Sequence, residues 1–214
     1  ALMSAFAFPV TFMKPTALVL NILVSGISFY FYYREKKFRW NLFYPSAITS
    51  IPSSFLGGYL TVPTFYYKVI LATVLFFAVL RLVGFLGKEK KEMTPLNLYA
   101  ALIVGAIIGF LSGLIGIGGG IILSPVIILL GWGTIKQTAA VSALFILVNS
   151  ISGISGFLIK GGILPESSFP LIGIVFVGGF FGAYYGSKKF NSVILKNILA
   201  LVLGIAIYKL YVTA

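Results

Sequence analysis

Residues 113–125 read GLIGIGGGIILSP, five glycines and a proline inside a strongly apolar part of the chain. Glycine costs about 1 kcal/mol and proline about 3 kcal/mol in a helix interior. The spacing of Gly116, Gly118, Gly119 and Gly120 matches no helix face, and three glycines in a row unwind a helix. The chemistry on offer there belongs to the backbone. A helix restarting near Gly120 would aim free N–H groups and the positive end of its dipole at whatever lies before it. Glycine lets a ligand come close to those amides. That describes an anion site made without a charged side chain. Other readings of the loop fail. A dinucleotide-type G-x-G-x-x-G would need glycine where Ile121 stands, and a Walker loop needs a GK[ST] that is missing. No histidine or nearby acid is available to activate a serine, so the chain is not expected to be an enzyme.

The apolar run that follows, 135–159, holds the side chains able to complete such a site. Thr138, Ser142 and Asn149 fall at i, i+4 and i+11, on one helical face, with Ser150 beside them. Hydroxyls and amides of this kind can donate to an oxyanion, and they can equally bond between helices. Lys136 opens this run, and Lys14 and Asn21 hold comparable places in an earlier run. The two lysines read either as interface anchors or as attractors of anions at the two ends of a path. Gly105, Gly109 and Gly113 form a separate G-x-x-x-G-x-x-x-G face, best explained by close helix packing.

These residues must be carried by helices in lipid. The chain has 214 residues, 59% hydrophobic and 9% charged, with a mean hydropathy of +1.07. Soluble domains carry roughly 25% charged residues. Cysteine, histidine and aspartate are absent, which excludes disulfides and Cys/His metal centres. The four acids, Glu35, Glu89, Glu92 and Glu166, all lie in polar connections. A carboxylate proton relay or hard-cation site within the membrane is therefore not expected. No cofactor is expected either. The net charge of +12 sits mostly at the flanks of apolar runs, where it signals topology rather than nucleic-acid binding.

Apolar runs cover 1–12, 15–33, 42–62, 67–87, 96–115, 120–131, 135–159, 168–187 and 192–212. The expected fold is all-α and polytopic, with two homologous helical repeats and glycine-broken helices. MKPTA at 13–17 matches IKQTA at 135–139. Pro45 matches Pro170, and Ser53, Gly57 and Thr61 match Gly178, Gly182 and Gly186. The division expected is 1–87 for a first repeat, 88–95 for a charged cytoplasmic linker and 96–214 for a second repeat, broken at 116–120. The first repeat lacks a counterpart of 96–122, so a segment of roughly 30 residues with its own glycine break is expected ahead of Ala1. Run 120–131 either re-enters the membrane, giving parallel repeats, or makes two crossings together with 96–115, giving inverted repeats. With residues 34–39 (REKKFR) inside, the second arrangement distributes basic residues more unevenly, and inverted repeats are favoured.

Residues 105–157 resemble the signature half of the TauE/SafE sulfite exporter family. The resemblance rests on the G-x-x-x-G-L-x-G-x-G-G-G break, the proline five residues later, the Lys-x-x-Ala start of the next helix, and Asn149–Ser150 within it. It implies two homologous halves and transport of sulfite, sulfonates or related sulfur-containing anions across the cell membrane. The expected function is export of a small oxyanion. Amides of residues 116–120 would bind it, Thr138, Ser142, Asn149, Ser150 and Asn21 would help, and Lys136 and Lys14 would raise its local concentration. A non-transporting membrane subunit that kept the fold, or an anion channel, are the alternatives. The expected partners are a small anion and the bilayer, not nucleic acid, with a homo-oligomer left open.

Overall fold

A computed structural model describes residues 10–63, 65–66, 69–73, 76, 93–164 and 169–188. Most of the runs expected at 1–12 and 67–87, most of the charged linker, and the run at 192–212 lie outside the described residues. Among the described residues the structure is all-helical, with α1 (Val10–Arg34), α2 (Trp40–Tyr59), α3 (Leu98–Ile115), α4 (Gly120–Leu130), α5 (Ile135–Ile159) and α6 (Phe169–Lys188). Three helices are long and apolar enough to cross a membrane, at Phe12–Arg34, Leu98–Ile115 and Ile135–Ile159. The chain is a multi-pass membrane protein.

Local sequence accounts for the bounds. Asn97 caps α3 by accepting from the Ala100 N–H. Thr134 and Gln137 form a reciprocal capping box at the start of α5. Gly131 ends α4 in the left-handed region. One boundary differs from expectation: runs 1–12 and 15–33 do not part at Pro15, because α1 passes through it. Pro15 has no N–H to donate, so α1 goes without the bond that this position would otherwise make to the carbonyl of Thr11.

Small residues set how the helices meet. Gly105, Gly109 and Gly113 of α3 lie against the backbone of Ser46, Ser50 and Ser54 of α2. The offset of 59 is constant, so the two helices run parallel and in register. A Cβ on any of the three glycines would collide with the serine carbonyl facing it. The same contact extends through Gly58 to Gly153 of α5, and Gly156 lies on Phe55. Side-chain bonds fasten this junction: Ser54 Oγ donates to Asn149 O at 2.7 Å, Ser152 Oγ to Ile51 O at 2.6 Å, and Thr49 Oγ1 to Leu102 O at 2.7 Å. Each hydroxyl thus finds a backbone acceptor where water is absent. The small-residue face of α2 is therefore Ser46, Ser50 and Ser54, continued by Gly57 and Gly58. Of the three repeat-matched positions Ser53, Gly57 and Thr61, Gly57 belongs to this face, and Thr61 lies past the helix end. On α6, a Cβ at Gly178 or Gly182 would meet nothing within 4 Å among the described residues.

Helix directions follow from paired positions. Along α1 and α5, Leu18 meets Gly153 and Gly26 meets Leu147, while Lys14 lies 6.0 Å from the Phe157 ring. Those two helices are antiparallel. Helix α4 returns toward the start of α3, because the Thr94 N–H donates to Gly131 O at 2.9 Å and Thr94 Oγ1 donates to Leu130 O. Gly133, just ahead of α5, faces Leu42 near the start of α2. The loop at 34–39 and Lys136 therefore share one end of the bundle, and Lys14 and Lys160 share the other. An apolar core between α2, α3, α4 and α5, including Leu42, Phe43, Ile108, Leu123, Ile127 and Phe145, holds the first end together.

Candidate functional site

The break between α3 and α4 is a turn of left-handed residues. Gly116, Gly118 and Gly119 have φ of 81°, 77° and 77°, a region that costs other L-residues roughly 1–2 kcal/mol each. Gly116 closes α3, its N–H donating to Ser112 O at 2.8 Å. Gly119 opens α4 without a side-chain cap, and its carbonyl accepts from the N–H groups of Ile122 and Leu123. Among the described residues no acceptor takes the N–H groups of Gly118, Gly119, Gly120 or Ile121. Those four donors form the positive end of α4. With 11 residues, α4 spans about 16 Å, too short to cross a hydrocarbon core of about 30 Å by itself, and the turn stands beside Lys14, toward the Lys14 and Lys160 end of the bundle.

The turn is enclosed by three helices. Asn21 of α1 donates through Nδ2 to Gly116 O at 3.1 Å, which caps the negative end of α3 where it faces the site. Beside Gly118 lie Asn21 Nδ2 and Ser150 Oγ, 3.1 and 3.2 Å from where a Cβ would stand. Beside Gly119 lie Ile108, Phe145 and the Ser112 side chain, and beside Gly120 lies Ile146. Gly118, Gly119 and Gly120 are all buried.

Several buried polar side-chain atoms have no partner among the described residues. Ser112 Oγ, Asn149 Oδ1, Ser150 Oγ and Thr138 Oγ1 are buried and unpaired among the described residues. An unsatisfied buried polar group costs about 1–3 kcal/mol. Ser112 and Ser150 stand beside the turn and mark a place where a polar ligand or water belongs, whereas Thr138 lies 12 residues before Ser150 on α5, about 18 Å along the helix. Asn149 Nδ2 is already bonded to Phe145 O at 2.8 Å, so its side chain offers an acceptor.

The remaining residues singled out from the sequence are placed as follows. Ser142 is buried and pairs with Ser124 Oγ of α4 at 2.8 Å, tying the short helix to α5. Thr138 is buried one turn earlier on α5. Lys136 is exposed in the first turn of α5. Lys14 is buried at 7% exposure, and its ammonium donates to the carbonyls of Gly57, Gly58 and Leu60 at 3.1, 2.8 and 2.9 Å. All three protons serve the C-terminus of α2, where a cation is favoured by the dipole. Lys14 touches the turn with its backbone instead, its carbonyl lying 2.9 Å from the Cβ position of Gly116. The Gly116 amide is likewise engaged within α3. Gly118, Gly119, Gly120, Ser150 and Asn21 come together at the break. Ser112 joins them without having been singled out from the sequence; its place one residue before Gly113, in the last turn ahead of the break, was the available signal.

Comparison with known proteins gives a consistent result. A family model described as sulfite exporter TauE/SafE matches residues 1–210. A probable membrane transporter protein of Sinorhizobium fredii is 36% identical over 214 residues, covering 98% of this chain and 87% of that protein. One from Methanocaldococcus jannaschii is 26% identical over 157 residues, covering 70% of this chain and 57% of the relative. Another from Haemophilus influenzae is 22% identical over 214 residues, covering 91% and 79%. No solved structure matches the chain.

Proposed function

The chain belongs to the TauE/SafE sulfite exporter family of membrane transporters, and from that premise we propose that it exports a small oxyanion, sulfite or an organosulfonate, across the cell membrane. The observation that carries this reading is the cluster of unused donors at the break. The turn that carries the free amides of Gly118, Gly119, Gly120 and Ile121 stands beside the side chains of Ser150 and Ser112, whose hydroxyls are unpaired among the described residues. An oxyanion presents only acceptors at its oxygens, so such a ligand satisfies every one of these groups. Asn149 adds an acceptor, which suits a ligand that keeps a proton, such as hydrogensulfite. Lys136 and Lys14 contribute long-range positive potential toward the two ends of the path.

The inverted repeat belongs to the same proposal. Helices α1 and α5 are the ones that share the MKPTA and IKQTA starts, and they run antiparallel. The return of α4 to the starting end of α3 supports the two-crossing hairpin, and the pairing of Lys14 and Lys160 at one end supports five crossings in the second repeat. On this reading 1–87 and 96–214 are the two repeats, with 88–95 the cytoplasmic linker.

All four acids fall in polar connections of the sequence, so the reading assigns proton coupling to none of them. An inside-negative potential supplies about 2.3 kcal/mol per charge per 100 mV to an exported anion. Purified protein in liposomes is therefore expected to pass sulfite at a rate set by membrane potential and indifferent to a proton gradient. Absence of sulfite or sulfonate flux, or flux that follows the proton gradient at zero potential, would overturn the proposal.

A further inference from the structure

We infer that Ile146 sets the size of the anion that the broken turn admits, an inference that rests on the function proposed above. Ile146 reaches both Gly118 and Gly120 of the turn. Its Cγ2 lies 2.6 Å from the Cβ position of Gly118, and its Cδ1 and Cγ1 lie 2.5 and 2.6 Å from that of Gly120. One helical turn further along α5, Ser150 Oγ lies 3.2 Å from the Cβ position of Gly118 and has no partner among the described residues. Branched hydrocarbon and an unpaired hydroxyl therefore stand side by side against the glycines whose amides are free. A β-branched side chain on a helix holds one strongly preferred χ1 rotamer, so this wall does not swing aside freely.

The wall discriminates by what the central atom of the anion carries. Sulfite has three oxygens and a lone pair on sulfur, with no substituent to accommodate. An alkanesulfonate carries carbon on sulfur. When its oxygens reach the Gly118–Gly120 amides and the Ser150 hydroxyl, that carbon must find room against Ile146. Phe145 is fully buried in the core, whereas Ile146 is only half-buried. Shortening Ile146 therefore enlarges the space beside the turn without emptying the core.

The test is a flux series in liposomes with sulfite, methanesulfonate and ethanesulfonate, for the unaltered protein and for Ile146→Val, Ile146→Ala and Ile146→Leu. One methylene in a snug apolar pocket changes discrimination by about tenfold or more. Ile146→Val is expected to raise the methanesulfonate-to-sulfite ratio by about tenfold, and Ile146→Ala to extend the gain to ethanesulfonate. Ile146→Leu, of equal volume, keeps ratios closest to those of the unaltered protein. Each variant is first checked for monodispersity in detergent; should Ile146→Ala fail, the milder Ile146→Val decides. Ratios unchanged within twofold while sulfite still passes would overturn the role of Ile146 and leave the proposed function standing. No flux of any of the three anions through the unaltered protein would overturn both.

Discussion

Gly119→Val is expected to abolish oxyanion flux while the protein still folds. Gly119 sits at φ 77° and opens α4. A β-branched residue adopts that conformation at a strain of roughly 1–3 kcal/mol, and it relieves the strain by rotating the peptide that now presents its N–H to the site. Its Cβ would also stand 2.9 Å from Ile108 Cγ2 and from Phe145 Cε1, which pushes the turn out of place. Loss of one preorganised donor at an oxyanion lowers a rate by about 100-fold or more, and two adjacent amides are disturbed here. Flux at least about 100-fold below that of the unaltered protein is expected on that basis. Gly173→Ala supplies the comparison, since a Cβ there meets nothing within 4 Å among the described residues, and its flux should be unchanged. Gly119→Val protein that is monodisperse and transports normally would remove the turn from the mechanism.

Gly113→Ala is expected to do different damage. It adds a single methyl group, yet the atoms in its way are backbone: Ser54 O and C, and the N of Gly58 at 2.8 Å. No side chain can retreat to make room, so α2 and α3 must separate. The shift propagates, because the Cβ position of Gly153 on α5 lies 3.2 Å from Gly113 Cα and Gly58 faces Gly153. Overpacking at a tight contact costs about 1–3 kcal/mol, and more where relief needs backbone movement. The detergent-solubilised variant should unfold at a clearly lower temperature than the unaltered protein. An unchanged midpoint would mean that the parallel α2–α3 contact is looser than described. Gly113→Ala thus lowers the amount of folded protein, whereas Gly119→Val lowers the activity of each folded molecule.

That separation of roles among glycines was partly legible in the sequence. The runs at 96–115, 120–131, 135–159 and 168–187 correspond closely to α3, α4, α5 and α6, because long apolar stretches bounded by glycine, threonine caps and polar connections leave few other choices. The distinction between Gly113, which packs, and Gly118–Gly120, which open the helix, followed from their spacing. What the spacing could not supply was the partner of each face. Ser46, Ser50 and Ser54 look the same in sequence whether they pack against glycine or line a pore. Their placement against Gly105, Gly109 and Gly113 depends on how three helices meet.

Charge was the least informative signal. Lys14 and Lys136 occupy matching positions in matching pentapeptides, yet Lys14 is buried on the C-terminal carbonyls of α2 while Lys136 is exposed. A sequence records that a lysine is present, and the helix end it serves is set by tertiary packing. Ser112 was passed over for a related reason: a serine within an apolar helix normally bonds back to its own backbone. Only the structure reveals that its hydroxyl has no partner among the described residues. Ile146 carried no signal at all, since one isoleucine in an apolar run resembles every other.

The most direct measurement of the central claim is the response of the turn amides to sulfite. In protein labelled with 15N-glycine and held in lipid, the resonances of Gly118, Gly119 and Gly120 should move on sulfite addition, with their protons shifting toward stronger hydrogen bonding. The packing glycines Gly105 and Gly109 should stay where they are. Shifts that saturate at the turn, and nowhere along the α2–α3 contact, are the predicted result. Resonances of Gly118–Gly120 that do not respond to sulfite in protein that transports it would contradict the account.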